Sequence, residues 1–330
     1  MRRPRYFPAN CVYEVTLRVS EGLPFAPKQV IELLLKSAMA RTQRDFKVTL
    51  CHFLWMGNHA HLLVVGQDAK QLTAYYAEVQ KKITDYLKRL LGRRQLSLWE
   101  TRPCVILVAD YEAALNRIAY FYANPARAHL IDTVEQYPGL SSYQIFSAAP
   151  DDVNHSISET IPWIRSPSIP EVPSRDLSEK QDNRICALLK ETNKEGEELT
   201  VKPHHWLTCF NISSPEMIKE YAERVLEKLR DHELTAREQR AAKGYSPRGR
   251  KRLLQTPLML SHTPKKYSRR IFIITTCNEL RISYIKYMDV IWDQCRECYQ
   301  RWKQGVYNFI WPPGTFPPCY PMSANVLGLG

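Results

Sequence analysis

Residues 47–56 and 59–65 are two apolar runs of strand length, and only Gly57-Asn58 separates them. A two-residue turn signal between such runs specifies a β-hairpin, and this hairpin constrains the fold more than any other feature of the chain. Side chains on a strand alternate between faces. In the second run His59 and His61 therefore point to one side, while Ala60, Leu62 and Val64 point to the other, into a core. The run Leu62-Leu63-Val64-Val65 supplies the apolar face that a central strand needs. Two imidazoles thus meet one small volume at the start of a core strand.

The surrounding sequence alternates strand-length and helix-length patterns. Residues 12–19 read as a first strand, and residues 27–44 as a helix with Val30, Leu33, Leu34, Ser37 and Ala38 on one face. Residues 69–91 form a long helix rich in Lys, Arg and Tyr, closed by Gly92, and residues 103–109 a further strand. Asp110 caps a helix running through Ile118 to Asn124, where Pro125 is expected to end it. This order predicts an α+β catalytic domain over residues 1–150.

Residues 151–176 carry Pro162, Pro167, Pro170 and Pro173 among serines, the composition of a linker or extended surface segment. Residues 177–330 read as a mostly helical accessory region of unassigned role. It holds an amphipathic helix over 215–232, a strand-like stretch over 271–276, and a helix over 278–304 stopped by Gly305. It also holds a basic cluster within 243–252, comprising Lys243, Arg248, Arg250, Lys251 and Arg252. Such a cluster is either a solvated loop or a phosphate contact.

Lys and Arg outnumber Asp and Glu by 46 to 34, a net charge of +12, which favours a polyanionic partner, nucleic acid or an anionic membrane. No run approaches the ~18 to 20 apolar residues of a membrane span, and Met1-Arg2-Arg3-Pro4-Arg5 leads into no signal-peptide core. The expectation is a soluble, cytoplasmic protein. Nine cysteines scattered through 330 residues fit reduced thiols. Cys295 and Cys298, at helical spacing beside Trp292 and Tyr299, fit core packing better than zinc or redox chemistry.

The histidine pair is compatible with two adjacent metal ligands on a rigid strand, or with two partly exposed strand histidines. The helix that begins after Asp110 supplies what a metal site would need. Asn116, Tyr120 and Asn124 recur at i, i+4 on one stripe, with Leu115, Ile118, Ala119 and Tyr122 facing the core. Tyr120 could be an amphipathic core-edge residue, or a nucleophile that attacks phosphorus to give a phosphotyrosine, storing bond energy without ATP. A free phenol titrates near ~10, so a metal held by His59, His61 and Asn124 would act mainly on the phosphate, polarising a non-bridging oxygen.

Five segments together resemble the REP-associated tyrosine transposases, within the single-tyrosine insertion-sequence transposases. They are VYEVTLRV (12–19), HFLWMGNHAHLLVVG (52–66), CVILVAD (104–110), AYFYANPARAHLI (119–131) and PGLSSYQIF (138–146). The resemblance covers about residues 5–147. It implies the HUH endonuclease fold, a ferredoxin-like or RRM-like antiparallel sheet with helices on one face. It also implies that His59 and His61 bind Mg²⁺ or Mn²⁺, that Asn124 completes the site, and that Tyr120 is the nucleophile. A single-stranded, hairpin-bearing DNA substrate, a 5′-phosphotyrosine with a free 3′-hydroxyl, a homodimer and a bacterial cytosolic, nucleoid-associated location follow from the same resemblance. The chain departs from the usual pattern at Gly57, commonly Pro, and at Phe121-Tyr122-Ala123, commonly Ile-His-Leu.

On such an enzyme Arg2, Arg3, Arg5 and Tyr6, Arg102 before the last strand, Arg127 after the nucleophile, and Arg248, Arg250, Lys251 and Arg252 are candidate DNA contacts. Two other functions share most of these residues. A relaxase or rolling-circle nuclease usually adds a third histidine or a second tyrosine one turn away, and neither stands near His61 or Tyr120. A domesticated, non-catalytic DNA-binding regulator would keep the fold alone. A zinc-binding interaction module lacks cysteines at suitable spacing.

Overall fold

The computed structural model describes residues 6–100, 103–172, 174–263 and 271–318. Its first half follows the expected order: β1 (Cys11–Arg18), α1 (Gln29–Asp45), β2 (Val48–Met56), β3 (His59–Gly66), α2 (Ala69–Leu90), β4 (Cys104–Val108) and α3 (Tyr111–Arg127). After α3 come α4 (Tyr143–Ser147), β5 (Ile157–Pro162), α5 (Glu179–Thr192), β6 (Gly196–Val201), α6 (Pro215–Ala241), α7 (Arg250–Leu254), β7 (Ile273–Ile274) and α8 (Asn278–Lys303).

The main sheet has the order β2-β3-β1-β4-β7. Its first four strands pair antiparallel, and the short β7 adds in parallel to β4, so the sheet is mixed rather than wholly antiparallel. Helices cover both faces, not one, because β1 and β3 are apolar on both sides. Tyr13, Val15 and Leu17 with Ala60, Leu62 and Val64 pack in one core with residues of α1 and α2. Val12, Leu63 and Val65 pack in the other with α3 and α6. A bulge in β2 between Leu50 and His52 shifts the register of the hairpin.

The residues that follow position 150 build onto this frame. The Pro-rich stretch is extended, as its composition suggests, but β5 pairs antiparallel with β6, and Ile161, Ile164, Ile169 and Val172 are buried in the same core as α1 and α2. Prolines remove amide donors without preventing a chain from laying apolar side chains on a neighbour. Gln43 of α1 exchanges two hydrogen bonds with the Thr200 backbone, at 2.7 and 2.9 Å. Asp182 of α5 caps the start of α1, accepting from the amides of Gln29 at 2.7 Å and Val30 at 2.8 Å.

Helix α3 opens as expected, with the Asp110 carboxylate accepting from the amide of Ala113 at 2.6 Å. Its end differs from expectation. Pro125 lies inside the helix, because a proline in the last turn forfeits a single amide bond while its own carbonyl stays in use. The helix stops two residues later at a left-handed cap, His129 at φ 58°. There the Leu130 amide reaches back to the Pro125 carbonyl and the His129 amide to that of Ala126, each at 2.9 Å. Ile218, Tyr221, Val225 and Leu229 form one stripe of α6 and bury against α3. Each of the three aliphatic side chains contributes about 1.5–3 kcal/mol when fully buried. The helix that carries Tyr120 is thus held by the sheet on one side and by α6 on another.

Candidate active site

The site begins at the β2–β3 turn. The carbonyls of Gly57 and Asn58 accept hydrogen bonds from the amides of Phe25 and Val19, each at 3.0 Å, and fix the start of β3. His59 then stands opposite Arg18 of β1, and His61 opposite Thr16. Their rings meet at 5.1 Å between centres, nearly perpendicular. In each ring Nδ1 faces an oxygen, Asn58 Oδ1 at 2.7 Å for His59 and Glu14 Oε1 at 3.0 Å for His61. A carboxylate or amide oxygen can only accept, so Nδ1 of each ring carries a proton, and Nε2 is the nitrogen left to bind a metal when the ring is neutral. Burial first, then His61, Arg18 and His262, hold His59 well below the ordinary imidazole range.

Behind His61 lies a buried ionic group. Glu14, on the same face of β1, is 1% exposed and accepts bidentately from Arg117 of α3, Nε to Oε2 at 2.7 Å and Nη2 to Oε1 at 2.6 Å. The Thr16 hydroxyl lies 3.3 Å from both Glu14 Oε1 and His61 Nδ1. Burial acts to raise the Glu14 carboxyl. Hydrogen bonds and charge from His61 and Arg117 outweigh it and bring the group to about 2.

Tyr120 is half-buried on α3, its ring centre 6.3 Å from that of His61 and the planes nearly perpendicular. Two guanidinium groups pack on the phenol: Cζ of Arg117 is 4.4 Å from the ring centre, and Cζ of Arg127 is 4.3 Å. The next residue, Phe121, stacks on the His61 ring at 5.0 Å and closes that side. Tyr122 faces away. It is buried, its hydroxyl lies 2.8 Å from His52 Nδ1 and 3.0 Å from Ser142 Oγ, and burial pushes its phenol far above the ordinary range. Of the two tyrosines, only Tyr120 stands at the histidines with its ring partly open.

Asn124, one turn beyond Tyr120, is half-buried, and its Nδ2 is buried without a hydrogen-bond partner among the described residues. Among those residues no group of three His, Cys, Asp or Glu side chains is arranged to hold a metal. The side-chain donors for a divalent ion here are the two imidazoles; Asn124 on α3 would add only its Oδ1, because the unsatisfied Nδ2 is a hydrogen-bond donor and not a metal ligand.

The expected DNA contacts divide. Arg127 lies over the ring of Tyr120. The cluster around α7 is anchored just past the end of α3: the amides of Arg248 and Gly249 donate to the carbonyls of His129 at 3.0 Å and Leu130 at 2.8 Å. Leu253 of α7 is buried with Leu54, Met56, Ile131 and Tyr137, while Arg250, Lys251 and Arg252 remain exposed. Farther along, the His262 carbonyl accepts from the Gly22 amide at 2.8 Å, which carries this segment toward the His59 side. Arg2, Arg3, Arg5 and Arg102 lie outside the described residues.

Sequence reasoning missed Glu14, Arg117 and His262. A signal existed for Glu14, the one charged side chain inside the apolar stretch Val12-Tyr13-Glu14-Val15. Arg117 is three residues before Tyr120 and so shares its helix face. His262 carries no local signal.

No family model matches the chain, and no curated protein matches it. A solved structure of a REP-associated tyrosine transposase bound to a REP hairpin is similar over 45% of this chain and 86% of that one, at 15% identity and a TM-score of 0.39. Among the described residues no helix is long and apolar enough to cross a membrane.

Proposed function

We propose that this chain is a metal-dependent single-strand DNA endonuclease and strand transferase, a transposase that works through a covalent bond between Tyr120 and DNA. The observation that carries the reading is the meeting of three side chains. His59 and His61 each turn Nδ1 to an oxygen, which leaves Nε2 as the ligand nitrogen of each ring, and the Tyr120 ring stands beside them bearing two guanidinium groups.

His59 and His61, with the Oδ1 of Asn124, would hold Mg²⁺ or Mn²⁺, and the ion would supply polarisation of a non-bridging phosphate oxygen. Arg117 and Arg127 draw the phosphate to Tyr120 and keep the phenol in place. The Tyr120 oxygen bonds to phosphorus as the bond to the 3′ oxygen breaks; the phenolic proton passes to solvent, and the leaving oxygen takes one up as a 3′-hydroxyl. One phosphoester replaces another, so rejoining needs no ATP. The exposed cations of α7, beyond the end of α3, extend the path of the strand, and unpaired, hairpin-bearing DNA is the substrate that suits a channel of cations beside an aromatic ring. Action as a homodimer belongs to the same proposal.

The test uses labelled single-stranded oligonucleotides carrying hairpins, incubated with the protein in Mn²⁺ or EDTA. A covalent adduct should form only with metal, and His59→Ala with His61→Ala should abolish it. Cleavage unaffected by EDTA and by the histidine substitutions would overturn the metal site. Specific binding of hairpins without any cleavage would favour the non-catalytic regulator.

A further inference from the structure

We propose that Glu14 is the positioning residue for both halves of the site, fixing His61 with Nε2 outward and clamping Arg117 against the ring of Tyr120. The inference rests on the metal-dependent reading above and deepens it.

Three observations carry it. First, Glu14 Oε1 is the acceptor for His61 Nδ1 at 3.0 Å, and a carboxylate has no proton to give, so it dictates which ring nitrogen is left bare. Second, both carboxylate oxygens bind Arg117, at 2.6 and 2.7 Å, through a planar fork that fixes the orientation of the guanidinium as well as its place. Third, that same guanidinium lies 4.4 Å from the Tyr120 ring centre and 5.6 Å from that of Phe121, which in turn stacks on His61. Glu14, Arg117, Tyr120, Phe121 and His61 therefore close a ring of contacts around one carboxylate. A buried ion pair adds little net stability, because the loss of hydration offsets the Coulomb attraction. Direction is what this one supplies. It ties a strand residue to a helix residue so that ligand and nucleophile cannot be placed independently.

Glu14→Gln keeps the size of the side chain but cannot satisfy both partners. Its amide group has one acceptor oxygen and one NH₂, and the NH₂ must face either the Arg117 donors or His61 Nδ1. Losing an outer partner of a metal-binding histidine typically weakens metal affinity about 10–100-fold.

The experiment has three readings on the full chain. Nitrogen-15 NMR of the metal-free wild type should show His61 protonated on Nδ1. A neutral ring protonated on Nε2 and bare on Nδ1 would overturn the proposal with no variant needed. Mn²⁺ titration followed by electron paramagnetic resonance should show Glu14→Gln binding about 10–100-fold more weakly than wild type. Wild-type affinity in this variant, with binding lost in His59→Ala/His61→Ala, would overturn the role of Glu14 alone. No histidine-dependent Mn²⁺ binding by the wild type would overturn the metal reading and this inference with it. Finally, saturating Mn²⁺ should restore only part of the adduct formation of Glu14→Gln, since Arg117 is no longer clamped on Tyr120. Full restoration would overturn the Tyr120 half.

Discussion

The imidazole of His61 and the phenol of Tyr120 meet with ring centres 6.3 Å apart and planes nearly perpendicular. One ring comes from the second strand of the hairpin and the other from α3, so the sheet and the helix must dock in a single register for the pair to exist. The docking is set by apolar contacts around the site, Leu63 and Val65 on the sheet with Ile118, Ala119 and Tyr122 on the helix. The polar pairing of Glu14 with Arg117 crosses the same interface.

The basic helix α7 should contribute charge rather than shape. Arg250, Lys251 and Arg252 are exposed and make no ion pair among the described residues. Replacing all three by Ala should weaken binding of single-stranded DNA and lower the slope of log affinity against log salt by roughly 2, given about 0.7 per phosphate contact on a single strand. Fluorescence anisotropy across a salt series reads this directly. An unchanged slope would place α7 off the DNA path.

Asp182 ties the region after residue 150 to α1 through two capping bonds. Asp182→Ala should cost about 0.5–2 kcal/mol of stability, the usual value of a helix cap. It should do so in one cooperative unfolding transition shared with the sheet. Urea denaturation followed by far-UV circular dichroism and tryptophan fluorescence checks both points, and two separated transitions would show that the two halves unfold independently.

Glu233 of α6 gives a pH dependence of stability. The residue is 5% exposed and accepts from the Val134 amide at 2.7 Å. Burial, aided by the charge of Glu135 and opposed by the Val134 amide, Arg237 and Arg230, pushes its carboxyl up to about 7, from an ordinary 4.5. The folded state therefore keeps this proton to higher pH than the unfolded chain does. The contribution is fully present below the ordinary carboxyl value, is lost as pH rises through about 7, and is absent beyond it. Glu233→Gln retains the acceptor for Val134 and removes the charge. It should raise stability at pH 8 by up to roughly 3 kcal/mol and leave it unchanged at pH 4. Thermal denaturation of both proteins across that range is the check.

Much of this architecture was legible in the sequence, and particular residues show why. The hairpin with His59 and His61, the Asp110 cap and the stripe of Asn116, Tyr120 and Asn124 all follow from periodicity and local capping, which a chain displays along its own length. What stayed hidden depends on distant partners. Glu14 and Arg117 are remote in sequence and acquire meaning only when β1 and α3 dock. The end of α3 is decided by His129 in a left-handed conformation, which the sequence does not advertise as a glycine would. Ile161 and Ile164 look like linker residues among prolines until α1 and α2 offer them a surface. The parallel addition of β7 to β4 rests on two residues, too few for any alternation to be read.

The central claim is that Tyr120, and not its neighbour Tyr122, takes the DNA strand. Peptide mass spectrometry after incubation with a hairpin-bearing oligonucleotide and Mn²⁺, followed by nuclease trimming, locates the adduct. The account predicts a nucleotide mass on Tyr120 that disappears in Tyr120→Phe and in EDTA. A nucleotide on Tyr122, or an adduct that persists in Tyr120→Phe, would contradict it.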